Sequence, residues 1–268
     1  NAVWSGNQAG FLANPGNGKY AYIIDTGIAP TTGDLNVDMA NGYNWVSTST
    51  PAADDNGHGT HVAGTIGALA NGYGVVGVAA GASVVPLKVL DASGSGSLTN
   101  VISAINYVLS NLSQRGISKA SAVVNLSLGS ATTWTSLDTA IINAANQGLR
   151  FAIAAGNSGR DVDGFTPART GNNANVYTVS AVDSAYKMAS WSNWDKLTTL
   201  DKIDNIDYAA PGVNVLSLSN QTGYLATMSG TSMASPHLAG LLLVGGITSG
   251  GLVTPYLSGT ADPFALHA

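Results

Sequence analysis

The chain has 268 residues, of which 9% are charged and 45% hydrophobic, and its formal net charge is −5. Few charges with much apolar content exclude a disordered chain, and a net negative charge with a pI near 5.0 excludes nucleic-acid binding through a basic surface. Apolar runs are short and broken by Gly, Ser or Pro, which argues against a membrane span, and 33 glycines without a single cysteine point to tight turns and exclude disulfides, thiolate metal sites and a cysteine nucleophile.

Residues 1–268 read as one domain, since no linker, composition shift or internal repeat divides them. The chain opens on Asn1 rather than Met and is expected to be a processed form. Lys19–Ile24 reads as a strand running into Asp25. His61–Ala70 follows with helical spacing. Ser83–Leu90 is a second strand, in which Pro86 suggests a bulge or an edge position. Leu98–Leu112 is helical, Ala122–Leu128 a strand, Ser136–Gln147 helical, and Phe151–Ala155 and Val176–Val182 strands. Trp194–Asp207 is locally charged and reads as a surface excursion between core strands. Ser232–Val244 is an apolar, mostly buried helix. Alternation of this kind implies an α/β fold on a mostly parallel sheet. Nearly continuous apolar strands imply helices on both faces.

In such sheets function collects at the carboxyl ends of the strands. Asp25 sits there, although a lone Asp after a strand is usually structural. In DDNGHGTHVAGTIG, His58 and His61 lie one turn apart, but the glutamate of a zinc-protease motif is missing. Ser232 opens the last helix, with Pro236 expected in its first turn. By residue type alone, a helix-capping serine and a nucleophilic serine compete there.

The three segments taken together are more specific. DTG, HGTHVAGT and GTSMASPH, in the chain order Asp, His, Ser, resemble the three signature blocks of the subtilisin-like serine proteases. The resemblance runs from about Tyr22 to Gly240, and the short span from Asn157 to FTPA is similar to the proteinase K branch, whose cysteines are absent here. It implies a subtilisin-like single domain and a secreted endopeptidase, monomeric and folded with the help of its own pro-segment, which also inhibits it. Proteins and peptides are the implied substrates, with an apolar or aromatic preference; nucleic acid and membrane are not partners. Ser232 is then the nucleophile, His58 the base and Asp25 the residue that fixes the imidazole tautomer. The Ser232 backbone N–H and the Asn157 side-chain amide are the implied oxyanion donors.

The resemblance also places an extended substrate between Gly94–Ser95–Gly96 and Ser127–Leu128–Gly129 by strand addition. Ala154, Ala155, Gly156 and Phe165 would form the primary pocket, and Leu98, Val101 and Leu128 a second apolar one. A structural calcium ion is implied at Asp34, Leu69, Asn71, Tyr73 and Val75, hard oxygen ligands of the kind calcium takes. Asn1 is a candidate for its N-terminal ligand. Three rival readings are weaker. Gly72, Gly74 and Gly77 have dinucleotide-fingerprint spacing, but they follow a helix and lead to a strand, the reverse of what that motif needs. No serine has the G-x-S-x-G setting of a lipase or esterase. A catalytically dead binding module would lack a member of the Asp-His-Ser set, and all three are present.

Overall fold

The computed structural model describes residues 14–30, 32–196, 204–254 and 261–268. Asn1 lies outside them, as does the middle of the Trp194–Asp207 segment. The strands are β1 (Tyr20–Asp25), β2 (Asn36–Val37), β3 (Tyr43–Asn44), β4 (Ser83–Lys88), β5 (Ala122–Leu126), β6 (Phe151–Ala154), β7 (Val176–Val182), β8 (Tyr208–Pro211), β9 (Val215–Leu218), β10 (Leu225–Met228), β11 (Ile247–Leu252) and β12 (Pro263–His267). The helices are α1 (His58–Gly67), α2 (Leu98–Gln114), α3 (Thr135–Asn146) and α4 (Thr231–Val244).

Ten strands form one sheet in the order β11-β12-β8-β7-β6-β5-β1-β4-β2, with β3 beside β4. Its pairs are parallel except β11 with β12. β9 and β10 form a separate antiparallel ribbon. The two-residue period of a strand sends alternate side chains to opposite faces. Ala21 and Ile23 of β1 therefore pack with Val62 and Ile66 of α1 and Leu238 and Leu241 of α4. Tyr22 and Ile24 pack with Ile105 and Val108 of α2 and Leu137 and Ile141 of α3. Helices thus cover both faces, and the fold is a single α/β unit on a mostly parallel sheet.

Four expectations change. α1 starts three residues earlier than predicted, because Gly57, at φ 111°, supplies the left-handed turn that launches it. Pro86 is in no bulge, and β4 is not an edge strand, but Pro86 itself is locally unpaired on one side. It pairs with Ile23 of β1 on one side, while on the other it falls between the registers of β2 and β3, so its missing N–H breaks no ladder bond there. The Trp194–Asp207 segment is not a surface excursion at its ends: Asp195, Asn205 and Ile206 are buried. Pro236 lies in the second turn of α4, not the first, since the helix begins at Thr231.

Candidate active site

Asp25 closes β1 and is fully buried, while a quarter of the His58 side chain remains exposed. The His58 Nδ1 lies 2.8 Å from Asp25 Oδ1, and the same oxygen accepts the Thr26 N–H at 2.7 Å. Burial pushes the imidazole pKa down, but the charge and hydrogen bond of Asp25, joined by the charge of Asp54, outweigh it, and the net shift is upward. His61 has a different setting. It is buried, its Nε2 meets the Val215 carbonyl at 3.0 Å, and burial lowers its pKa. The structure therefore brings His58, and not His61, to Asp25.

Ser232 is the second residue of α4. Its Oγ donates to the Ser127 carbonyl at 3.1 Å, and the Ser127 hydroxyl donates to the Ser232 carbonyl at 2.8 Å. The second bond follows from Pro236. Proline has no N–H for the carbonyl four residues earlier, so the Ser232 carbonyl is left to accept a side chain. The exchange extends inward, with Asn125 Nδ2 donating to Ser127 Oγ at 2.9 Å and Ser235 Oγ donating to Asn125 Oδ1 at 2.8 Å. Helix α4 and the end of β5 are locked to each other by this buried string.

Asn157 follows β6. Its Oδ1 accepts the Thr231 N–H at 2.8 Å and the Thr231 hydroxyl at 2.9 Å, which fixes the amide with its NH2 on the far side. A methyl group on Gly230 would come within 3.4 Å of Asn157 Nδ2 and 3.6 Å of the Ser232 nitrogen, so both donors border one small space. Gly156 holds the loop at φ 103°, where a Cβ would strike the Asn193 amide at 2.4 Å. Asn193, fully buried, ties that loop by donating to the Ala155 carbonyl and accepting from Ser158 and Arg160.

Two pockets flank these groups. A groove of about 720 Å³ is lined by His58, Gly94, Ser95, Gly96, Leu98, Val101, Ser127, Leu128, Gly129 and Trp134. A smaller pocket of about 210 Å³ is lined by Leu128, Gly129, Ala154, Ala155, Gly156, Asn157, Phe165, Ala168 and Ser232 among others, none of them charged. Every residue expected at the substrate cleft thus borders one of the two.

Asp34, Leu69, Asn71, Tyr73 and Val75 also come together. Asp34 is buried, which raises its pKa, and it accepts Asn71 Nδ2 at 2.9 Å and the Val75 N–H at 3.3 Å. Asn71 Oδ1 accepts the Tyr73 N–H at 2.9 Å. Among the described residues the carbonyls of Leu69, Tyr73 and Val75 accept no hydrogen bond. A buried carboxylate with three uncommitted carbonyls fits a hard cation in kind, whereas the Asn71 amide is turned to close the loop on itself. A second acidic group, Asp161, Asp163 and Asp195, brings carboxylate oxygens within 4.8 Å of one another.

Four contributors escaped the sequence reading: Asp54, Asn125, Asn193 and Trp134. The first three act by holding backbone or other side chains, and such partners are set by the fold. Asp54 alone left a signal, an acidic residue one turn ahead of a helix start.

An Asp–His pair and a helix-opening serine, gathered at the carboxyl ends of a parallel α/β sheet, define the class to which this chain belongs. Comparison with known proteins gives the family. The Subtilase family profile matches residues 16–244, and the chain is a member of the subtilase family. It is 41% identical to the thermostable alkaline protease of Halalkalibacterium halodurans over 226 residues, 84% of this chain and 56% of that protein. It is 38% identical to the extracellular serine proteinase of a Thermus species, again over 84% of this chain and 50% of the relative. The chain spans about half the length of these two relatives. The crystal structure of a cold-adapted subtilisin-like serine proteinase superposes with a TM-score of 0.80 at 33% identity, covering 95% of this chain and 90% of that one. Among the described residues no helix is long and apolar enough to cross a membrane.

Proposed function

We propose that residues 1–268 form the catalytic domain of a serine endopeptidase. The observation that carries this reading is the buried Asp25 held 2.8 Å from an accessible His58, together with two N–H donors facing one space beside Ser232. Binding an extended peptide along the large groove presents a carbonyl carbon to Ser232. The hydroxyl turns from the Ser127 carbonyl toward His58, as catalytic hydrogen bonds often tighten only with substrate bound. His58 Nε2 takes the proton while Oγ bonds to the carbonyl carbon. Asp25 accepts the Nδ1–H, which fixes the tautomer and stabilises the imidazolium. The oxyanion receives the Ser232 N–H and the Asn157 amide, donors already in place before charge develops. His58 returns the proton to the leaving amine, and water then releases the acyl group by the same steps. The uncharged 210 Å³ pocket favours an apolar or aromatic residue before the scissile bond.

A calcium ion held by Asp34 and the carbonyls of Leu69, Tyr73 and Val75, with Asn71 after its amide turns, would supply stability and no chemistry. The name of the Thermus relative supports an extracellular setting. The test has two parts. A fluorophosphonate probe should label wild type at Ser232 and leave Ser232→Ala unlabelled, and wild type should cleave casein. Labelling without casein cleavage would indicate an esterase, and no labelling at all would remove the mechanism.

A further inference from the structure

Asp54 lies one helical turn before His58 and touches neither His58 nor Asp25 by hydrogen bond, yet it braces both. Its Oδ1 accepts the Thr26 hydroxyl at 2.8 Å, the Gly57 N–H at 2.8 Å and the Asn56 N–H at 3.0 Å. Its Oδ2 accepts the Thr60 N–H at 2.9 Å and the Thr60 hydroxyl at 2.5 Å. Thr26 is the residue after Asp25, and its hydroxyl oxygen also accepts the Gly59 N–H at 2.9 Å, directly after His58. Thr60 in turn receives the Ala29 N–H at 3.0 Å. A single carboxylate therefore fastens the segment that carries Asp25 to the first turn that carries His58. Helix α1 has no side-chain cap from Gly57 itself. The Asp54 anion accepts the Thr60 N–H of its first turn instead, where the helix dipole favours negative charge, while Asn56 Oδ1 takes the His58 N–H and the Thr26 hydroxyl that of Gly59.

We infer that Asp54 is a positioning residue for the Asp25–His58 pair, acting through Thr26 and the start of α1, and that its charge also supports the protonated imidazole. This inference rests on the catalytic reading above. Among the described residues the ionisable groups around His58 are Asp25 from β1, His61 from the next turn of α1 and Asp54; Asp55, the neighbour of Asp54, is held by Lys88 at 2.7 Å. Of these, Asp25 and Asp54 raise the imidazole pKa by charge.

Replacing Asp54 with Asn keeps the shape but removes the charge and turns an NH2 toward groups that are themselves donors. In the full chain, kcat per fluorophosphonate-titrated site should fall about ten- to a hundredfold with KM nearly unchanged, the scale of a small misplacement of reacting groups. The acid limb of the pH profile should move down by about half a unit, as should the imidazole titration followed by the NMR signal of the His58 Nδ1 proton. Asp54→Glu, which keeps the charge on a longer arm, should leave the acid limb in place while still lowering kcat. A merely structural role would lower the melting temperature and the titratable fraction, leaving kcat per site and the acid limb at wild-type values; that result overturns the inference. If Asp54→Asn does not fold, Thr26→Val carries the test. It cuts only the hydroxyl between Asp54 and the Gly59 N–H, so kcat per site should drop several-fold, and a wild-type value counts against the inference. If wild type itself takes no probe, the catalytic reading fails separately, and the His58 titration in Asp54→Asn against wild type still decides whether Asp54 acts on the imidazole.

Discussion

At the scale of single residues, two histidines of one motif are separated by what they face. His58 looks onto solvent and a buried carboxylate, while His61 is enclosed and meets a backbone carbonyl. His58→Ala should therefore cost several orders of magnitude in kcat, and His61→Ala should act mainly on stability. Equal losses in turnover would reassign the base. Because Asp25 and Asp54 outweigh the burial of His58, the rate should rise with pH through a midpoint above the ordinary imidazole value of about 6.5. A kcat/KM profile with its midpoint well below that value would contradict the pairing. These residues were legible in the sequence because Asp, His and Ser carry their chemistry in the side chain and stand in short runs around glycines that clear space for them. Asp54 and Asn193 were not. Their partners are mostly backbone N–H and C=O groups, and nothing in a residue name says which backbone will arrive.

At the scale of elements, the apolar strands and helices of the central layers were legible from periodicity, with ends off by a few residues. β2, β3 and β8 through β12 were missed, the first two because they hold only two residues each, and strands such as ITSGGL in β11 because they are glycine-bearing, mostly exposed and lack an alternating apolar face. The proline of α4 was misplaced for a related reason: a helix that is buried nearly all round has no stripe to mark its first turn. Its position matters, because Pro236 frees the Ser232 carbonyl and Ser127 captures it. Ser127→Ala leaves that carbonyl and the Asn125 amide without the hydroxyl that joined them. The cost should be about 1–3 kcal/mol of stability, the usual range for a buried polar group left unsatisfied. A loss of turnover should accompany it, as α4 gains freedom relative to β5. Urea unfolding and kcat measured on the same preparation check both; unchanged stability would show that water or a shifted side chain takes over the bonds.

At the scale of the whole molecule, a chain without cysteine depends on its core and on any bound ion. Calcium bound to the native state at a hundred times its dissociation constant contributes about 2.7 kcal/mol. Excess EDTA should lower the melting temperature of wild type, and Asp34→Ala should mimic the chelator without adding to it; an unchanged melting temperature with no calcium by metal analysis would remove the site. A second whole-molecule property comes from buried carboxyl groups on the β7–β8–β12 side of the sheet. Asp262 is 2% exposed, its Oδ2 accepts the Ser180 hydroxyl at 2.5 Å, and its Oδ1 has no hydrogen-bond partner among the described residues. Burial pushes its pKa up to about 7, and burial likewise raises Asp207 to about 8 and Asp195 to about 6. In the unfolded chain an aspartate titrates near 3.9. Between about pH 4 and the folded value, the native state keeps a proton that the unfolded state has lost. Stability from these groups is therefore full below pH 4, falls as pH rises through the folded values, and levels off above about pH 8. Asp262→Asn keeps the shape of the side chain and removes its titration. With calcium held constant, the denaturation midpoints of wild type and Asp262→Asn should diverge between pH 5 and pH 9, the variant losing less by on the order of 3 kcal/mol. Parallel curves for the two proteins would mean that Asp262 ionises in the native state as readily as in the unfolded chain, and the alkaline loss would then belong to Asp207 or to groups outside this cluster.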